Sequence, residues 1–96
     1  MRVHWTTAAR RHLQAIHDYI AQDSKRYARR MVDRITRRSQ QLVDQPLIGA
    51  VSEKYEELDI REVLVKPYRL FYRVKAGQID VLAVIHAARE LPDQID

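Results

Sequence analysis

Apolar side chains recur along this chain with two periods. In the first half they fall three and four residues apart, as one face of an α-helix requires; in the last third they alternate, as a strand requires. Arg2-Val3-His4-Trp5 alternates and predicts a short first strand. Thr6 or Thr7 can cap the helix that follows, because a threonine oxygen accepts from the free amides of a first helical turn. Ala9, Leu13, Ile16 and Ile20 then recur at helical spacing, with His17 beside them, and the pattern stops near Gln22. Asp23 and Ser24 offer a second cap, and a longer helix runs to about Asp44. Its stripe is Ala28, Met31, Val32, Ile35 and Leu42 with Ser39 in line, while Arg26, Arg30 and Arg37 lie opposite. So short a connection makes the two helices an antiparallel hairpin.

Pro46 and Gly49 end the helical region, and residues 45–58 read as irregular chain. Three strands follow, over 60–65, 68–74 and 79–86. Pro67 suits the start of a strand, where its missing amide does no harm. Ala76-Gly77 suits a tight hairpin, the glycine supplying a positive φ. The tail, AARELPDQID, is short and polar. Strand, helix, helix and three strands make one α+β domain over 1–96: a mainly antiparallel sheet, with the N-terminal strand and a three-stranded meander, carrying the helical hairpin on one face.

Strand alternation then sorts the side chains. In PYRLFYRV, Leu70, Tyr72 and Val74 share one face, and Arg69, Phe71 and Arg73 the other. In IDVLAVIH, Ile79, Val81, Ala83 and Ile85 point one way, and Leu82 and Val84 the other. The last strand is therefore apolar on both faces, and two helices cover only one. The face holding Phe71, Leu82 and Val84, with Arg73 at its border, is expected to receive a partner segment, an amphipathic helix or an added strand. Loop 45–58 folding over it is the alternative.

Composition narrows the class. Ninety-six residues suit a single domain. No apolar run approaches the roughly 18 residues that cross a bilayer, and MRVHWTTAARRH lacks the apolar core of a signal peptide. With no cysteine there is neither disulfide scaffold nor thiolate metal site. The expectation is a cytoplasmic protein. The net charge of +4 is uneven: residues 1–49 hold ten Lys/Arg against four Asp/Glu, and residues 50–96 seven against nine. A basic first half suits an acidic partner or nucleic acid.

Candidate chemistry is sparse. His12 and His17 stand five apart on a helix and cannot chelate one ion together, so no metal site is expected. Two glycines in all rule out a glycine-rich phosphate loop. The sheet arginines matter more. Arg61, Arg69, Arg73 and Arg89 fall on or just after three consecutive strands, with His86 ending the last. Guanidinium groups fork onto phosphate oxygens, so such a group could hold an RNA backbone and stabilise a charged transition state. Pairing of Arg61 and Arg69 with Glu57, Asp59 or Glu62 is the plainer reading.

The order of elements and the stretches PYRLFYRV and IDVLAVIHAARELP resemble the RelE/ParE family of bacterial type II toxins. The likeness runs over nearly the whole chain, through WTTAARRHLQAIHDYIAQDS, QPLIGA and IREVLVKPYRLFYRV. Its most specific parts are Tyr68-Arg69 and His86-Ala87-Ala88-Arg89. The resemblance implies a growth-inhibiting toxin that needs no cofactor and is neutralised by a cognate antitoxin wrapped around it, in a complex that can be of higher order. Two activities divide the family. RelE-like members cut messenger RNA on the ribosome without metal; ParE-like members inhibit DNA gyrase and serve plasmid stabilisation. Arg69 and Arg89 match arginines of the ribonuclease site, and Arg61 and His86 would complete it. However, Arg61 is followed by acidic Glu62 where RelE carries a pair of lysines, and no tyrosine lies beyond Tyr72. The HAARELP ending is closer to ParE. The expectation is a ParE-like, gyrase-directed toxin; the alternative is a metal-independent endoribonuclease working through Arg69, Arg89, Arg61 and His86.

Overall fold

The computed structural model describes residues 1–95. The elements in chain order are β1 (Arg2–Trp5), α1 (Thr7–Ala21), α2 (Lys25–Gln41), β2 (Ala50–Val51), a 3₁₀ turn at Glu56–Leu58, β3 (Arg61–Val65), β4 (Tyr68–Lys75) and β5 (Gln78–His86). They form one five-stranded sheet in the order β1-β5-β4-β3-β2. β1 lies parallel to β5 and every other pair is antiparallel.

The helix starts follow from their caps. The Thr6 hydroxyl accepts from the Ala9 amide at 3.1 Å, and the Ser24 hydroxyl from the Tyr27 amide at 3.0 Å. Helix α2 stops at Gln41, short of Asp44, and residues 42–44 leave as a turn that carries Leu42 into the core. Ser39 sits in the apolar stripe at no cost in unpaired hydrogen bonds: its hydroxyl donates to the Thr36 carbonyl at 2.6 Å and accepts from the Trp5 indole at 3.3 Å. The irregular region is more ordered than its sequence implies. It contributes the edge strand β2, whose Ala50 and Val51 pair with Glu62 and Arg61. Asp59 closes the 3₁₀ turn at φ 57°, a left-handed conformation that aspartate tolerates better than most residues.

Two cores lie on the two faces of the sheet. On the helix side, Ala9, Met31, Ile35 and Leu42 pack against Val63, Leu70, Tyr72, Ile79, Val81 and Val84. On the far side, Tyr55, Ile60, Phe71, Leu82, Ala83 and Ile95 form a second cluster, with Ile85 and Leu91 against it.

Two expectations need correction here. First, the strict alternation along β5 fails. Phe71 pairs with Ala83 and Tyr72 with Val81, so Leu82 is the extra residue of a β-bulge. Beyond it the faces exchange: Val84 joins the helix side, and Ala83 and Ile85 turn to the far side. Second, the far face is not open. Phe71 is 0% and Leu82 3% exposed, because the chain's own 52–60 segment and C-terminal tail cover them. Lys54 holds the tail in place, its Nζ donating to the Leu91 carbonyl at 2.7 Å and lying 3.4 Å from the Asp93 carboxylate. The Tyr55 hydroxyl donates to the Pro92 carbonyl and its ring meets Phe71 edge to face, centroids 5.9 Å apart. Phe71, Leu82 and Val84 therefore do not form one exposed patch. Among the described residues no helix is long and apolar enough to cross a membrane.

Candidate functional site

The register of β3 and β4 decides what Arg69 can do. Leu64 pairs with Arg69 and Glu62 with Phe71, which places Glu62 diagonally across from Arg69 on the far face. Arg69 Nε donates to Glu62 Oε1 at 2.8 Å and its Nη2 to Oε2 at 2.9 Å, a two-pronged fork. The guanidinium carbon also lies 5.2 Å from the Phe71 ring centroid. The hydrogen bonds to Glu62 raise the Arg69 pKa further above its already high value. Both donors that face Glu62 are engaged, and the charge is neutralised.

Arg61 and Arg73 are tethered as well. Arg61 donates to the carbonyls of Gly49 at 2.8 Å and Leu47 at 3.3 Å, and so clamps the loop entering β2. The Arg73 Nε donates to the Leu58 carbonyl at 3.1 Å, tying β4 to the 3₁₀ turn. The same loop is pinned from below by Tyr72. Its buried hydroxyl donates to the Pro46 carbonyl at 2.7 Å and accepts from the Gly49 amide at 2.9 Å.

His86 and Arg89 belong to a different place. His86 pairs with Tyr68 and follows the bulge onto the helix side, where a cleft of about 500 Å³ opens between α1 and the end of β5. His12, Ile16, Tyr19, Tyr68, Val84 and His86 line it together with Arg89. His12 Nδ1 accepts from the Val84 amide at 3.2 Å, and His86 Nδ1 accepts from the Ala88 amide at 3.0 Å. A ring nitrogen that accepts from an amide carries no proton, so each neutral imidazole keeps its hydrogen on Nε2. Burial, reinforced by the nearby Arg89 charge, holds His12 below the usual histidine value of 6.5. Burial, and then the neighbouring Tyr19 and Tyr27, push the Tyr68 phenol up, so it stays a donor. Arg89 is exposed and no described carboxylate pairs with it.

The four residues expected to share a phosphate site are therefore dispersed. Arg69 lies on the far face against Glu62, Arg61 at the loop, and only His86 and Arg89 stay together. Sequence reasoning missed His12, Tyr19 and Tyr68 as neighbours of His86. The helical spacing of His12, Ala15, Ile16 and Tyr19 was a usable signal, but the bulge that turns Val84 and His86 toward them was not legible. Among the described residues no group of three His, Cys, Asp or Glu is placed to hold a metal ion.

The fold is thus a two-helix hairpin on a mainly antiparallel sheet, closed by a His-Ala-Ala-Arg turn. Residues 3–91 match the model of the ParE toxin of type II toxin–antitoxin systems, parDE, and the chain belongs to that family. It is 36% identical over 89 residues to Toxin RelE2 of Caulobacter vibrioides, covering 92% of this chain and 97% of the relative. Among solved structures it is similar to the chromosomal ParDE toxin–antitoxin system from P. aeruginosa, with a TM-score of 0.76 and 26% identity over 90% of this chain and 95% of that one.

Proposed function

We propose that this toxin arrests growth by docking on DNA gyrase rather than by cutting RNA, and that a cognate antitoxin silences it by masking the docking surface. The names of the relatives fall on both branches of the family and do not separate them. The observation that supports the reading is the dispersal of the basic residues. Without a metal, cleavage needs cationic donors converging on one scissile phosphate. Here Arg69 forks onto Glu62 at 2.8 and 2.9 Å on one face of the sheet, while His86 and Arg89 stand on the other.

The antitoxin surface also shifts from where alternation put it. With Phe71 and Leu82 closed in, the large apolar side chains left open include, besides Met1, Leu58 and Leu64, a run of five along the helical hairpin, the loop after it and the edge strand β2: Tyr19, Tyr27, Leu47, Ile48 and Val51. These suit a segment that wraps from the helices to the sheet edge. Antitoxin-free protein added in parallel to a gyrase supercoiling reaction and to a translating ribosome extract tests the proposal. Supercoiling is expected to stop at toxin concentrations that leave message intact; the opposite pattern contradicts the reading.

A further inference from the structure

Three observations converge on the cleft between α1 and the end of β5. Its polar lining is rich in donors: the Arg89 guanidinium, the Nε2–H groups of His12 and His86, and the Tyr19 and Tyr68 hydroxyls, which can also accept, with no carboxylate among the lining residues. Its remaining wall is aliphatic, from Ile16 and Val84 with their neighbours. And whereas the Arg61, Arg69 and Arg73 side chains are each tied to a described group, the Arg89 guanidinium is tied to none among the described residues.

We propose that this cleft seats an acidic side chain of the cognate antitoxin, its carboxylate on Arg89 with the His12 and His86 Nε2–H groups as further donors, and a neighbouring apolar side chain against Ile16 and Val84. The inference rests on the reading of this chain as an antitoxin-bound toxin, and it names the chemistry of one contact. Charge complementarity selects the anion: the charged lining side chain is the Arg89 guanidinium, no carboxylate lines the cleft, and its side-chain acceptors are the two phenol oxygens alone. The aliphatic wall selects a peptide over a nucleic-acid strand. Single strands bind along successive open aromatic faces, whereas this cleft has one, Tyr19 at 72% exposed, with no second beside it: Tyr68 is 8% exposed and meets His86 edge to face at 5.5 Å.

The test is the affinity of the purified toxin for its cognate antitoxin, read with the ring proton signals of His12 and His86 by NMR. Arg89→Gln and His12→Gln are each expected to weaken the complex about tenfold to a hundredfold. Arg89→Lys should lose less, since it keeps the charge and gives up the fork. In the wild-type complex both histidine signals should shift. Arg89 is exposed, so its variants retain the fold. A wild-type toxin that fails to bind overturns the antitoxin reading itself. A wild-type complex with unchanged affinity in the variants overturns the cleft assignment alone. Histidine signals that move with tetrauridylate and stay fixed in the antitoxin complex would make the occupant a nucleic acid and overturn the proposal.

Discussion

Glu62 and Arg69 stand seven residues apart in sequence and become partners because a two-residue turn folds β3 onto β4 in a register that sets them diagonally. Their side chains are 22% and 28% exposed, so the pair is partly shielded and geometrically good. Glu62→Gln should cost about 1–2 kcal/mol in denaturant unfolding, from the lost charge-assisted hydrogen bonds. The same variant removes the negative charge opposite the Arg69 guanidinium, and gain of RNA cleavage is not expected, since His86 remains on the other face. His12 carries a pH signature. Its pKa is lowered in the folded state relative to 6.5, so the unfolded chain binds more protons below that value. Stability attributed to neutral His12 is complete above pH 6.5 and is lost as pH falls through the lower folded pKa. His12→Gln should flatten the fall in midpoint temperature in that range. Glu62 was among the acids that the sequence offered Arg69, and the register selects it, while Arg61 goes to backbone carbonyls instead; the burial-driven shift of His12 could not be read from sequence, since it needs the packing of α1 on β5.

At the scale of elements, the local periods carried most of the fold. Both helix caps, the hairpin at Ala76-Gly77, where Gly77 sits at φ 69°, and the three late strands follow from spacing and turn chemistry. What spacing could not carry was the bulge at Leu82, since one extra residue leaves the composition of a strand unchanged while exchanging its faces. Nor does anything local show that β1 joins β5 or that Ala50-Val51 forms an edge strand. The latter depends on Gly49. A Cβ there would lie 2.6 Å from the Tyr72 hydroxyl and 2.8 Å from the Glu62 carbonyl, so the close approach of the loop requires glycine. Gly49→Ala should destabilise by roughly 1–3 kcal/mol through forced displacement of that loop, and Tyr72→Phe by about 1–3 kcal/mol through the unpaired buried partners. Chemical denaturation measures both. The closed far face supplies a third expectation: Leu82→Asp, which an open face would tolerate, should cost more than about 3 kcal/mol by placing a carboxylate under Tyr55 and Phe71.

Across the whole molecule, charge is segregated as the sequence indicates. Arg26, Arg30 and Arg37 are exposed on α2, and Arg34, Arg37, Arg38 and Lys66 line a second, shallow groove beside β3. Reversal of Arg26, Arg30 and Arg37 together should slow association with an acidic partner about tenfold at low salt and change its dissociation little. Stopped-flow mixing at two ionic strengths reads this. The arginines of the sheet have a different office. Arg61, Arg73 and Arg69 hold the loop, the 3₁₀ turn and Glu62, while Arg89 stands apart in the cleft beside α1. The most direct measurement is therefore the activity of Arg69→Ala beside wild type, in the gyrase supercoiling reaction and on ribosome-bound message. Docking predicts inhibition of supercoiling by both proteins, with a midpoint shifted less than about tenfold in the variant, because Arg69 acts through Glu62 and Phe71 on the fold. Ribosome-dependent cleavage by the wild type, reduced a hundredfold or more in a correctly folded Arg69→Ala protein, is what loss of a transition-state donor produces, and it would contradict docking as the toxin's mode of action.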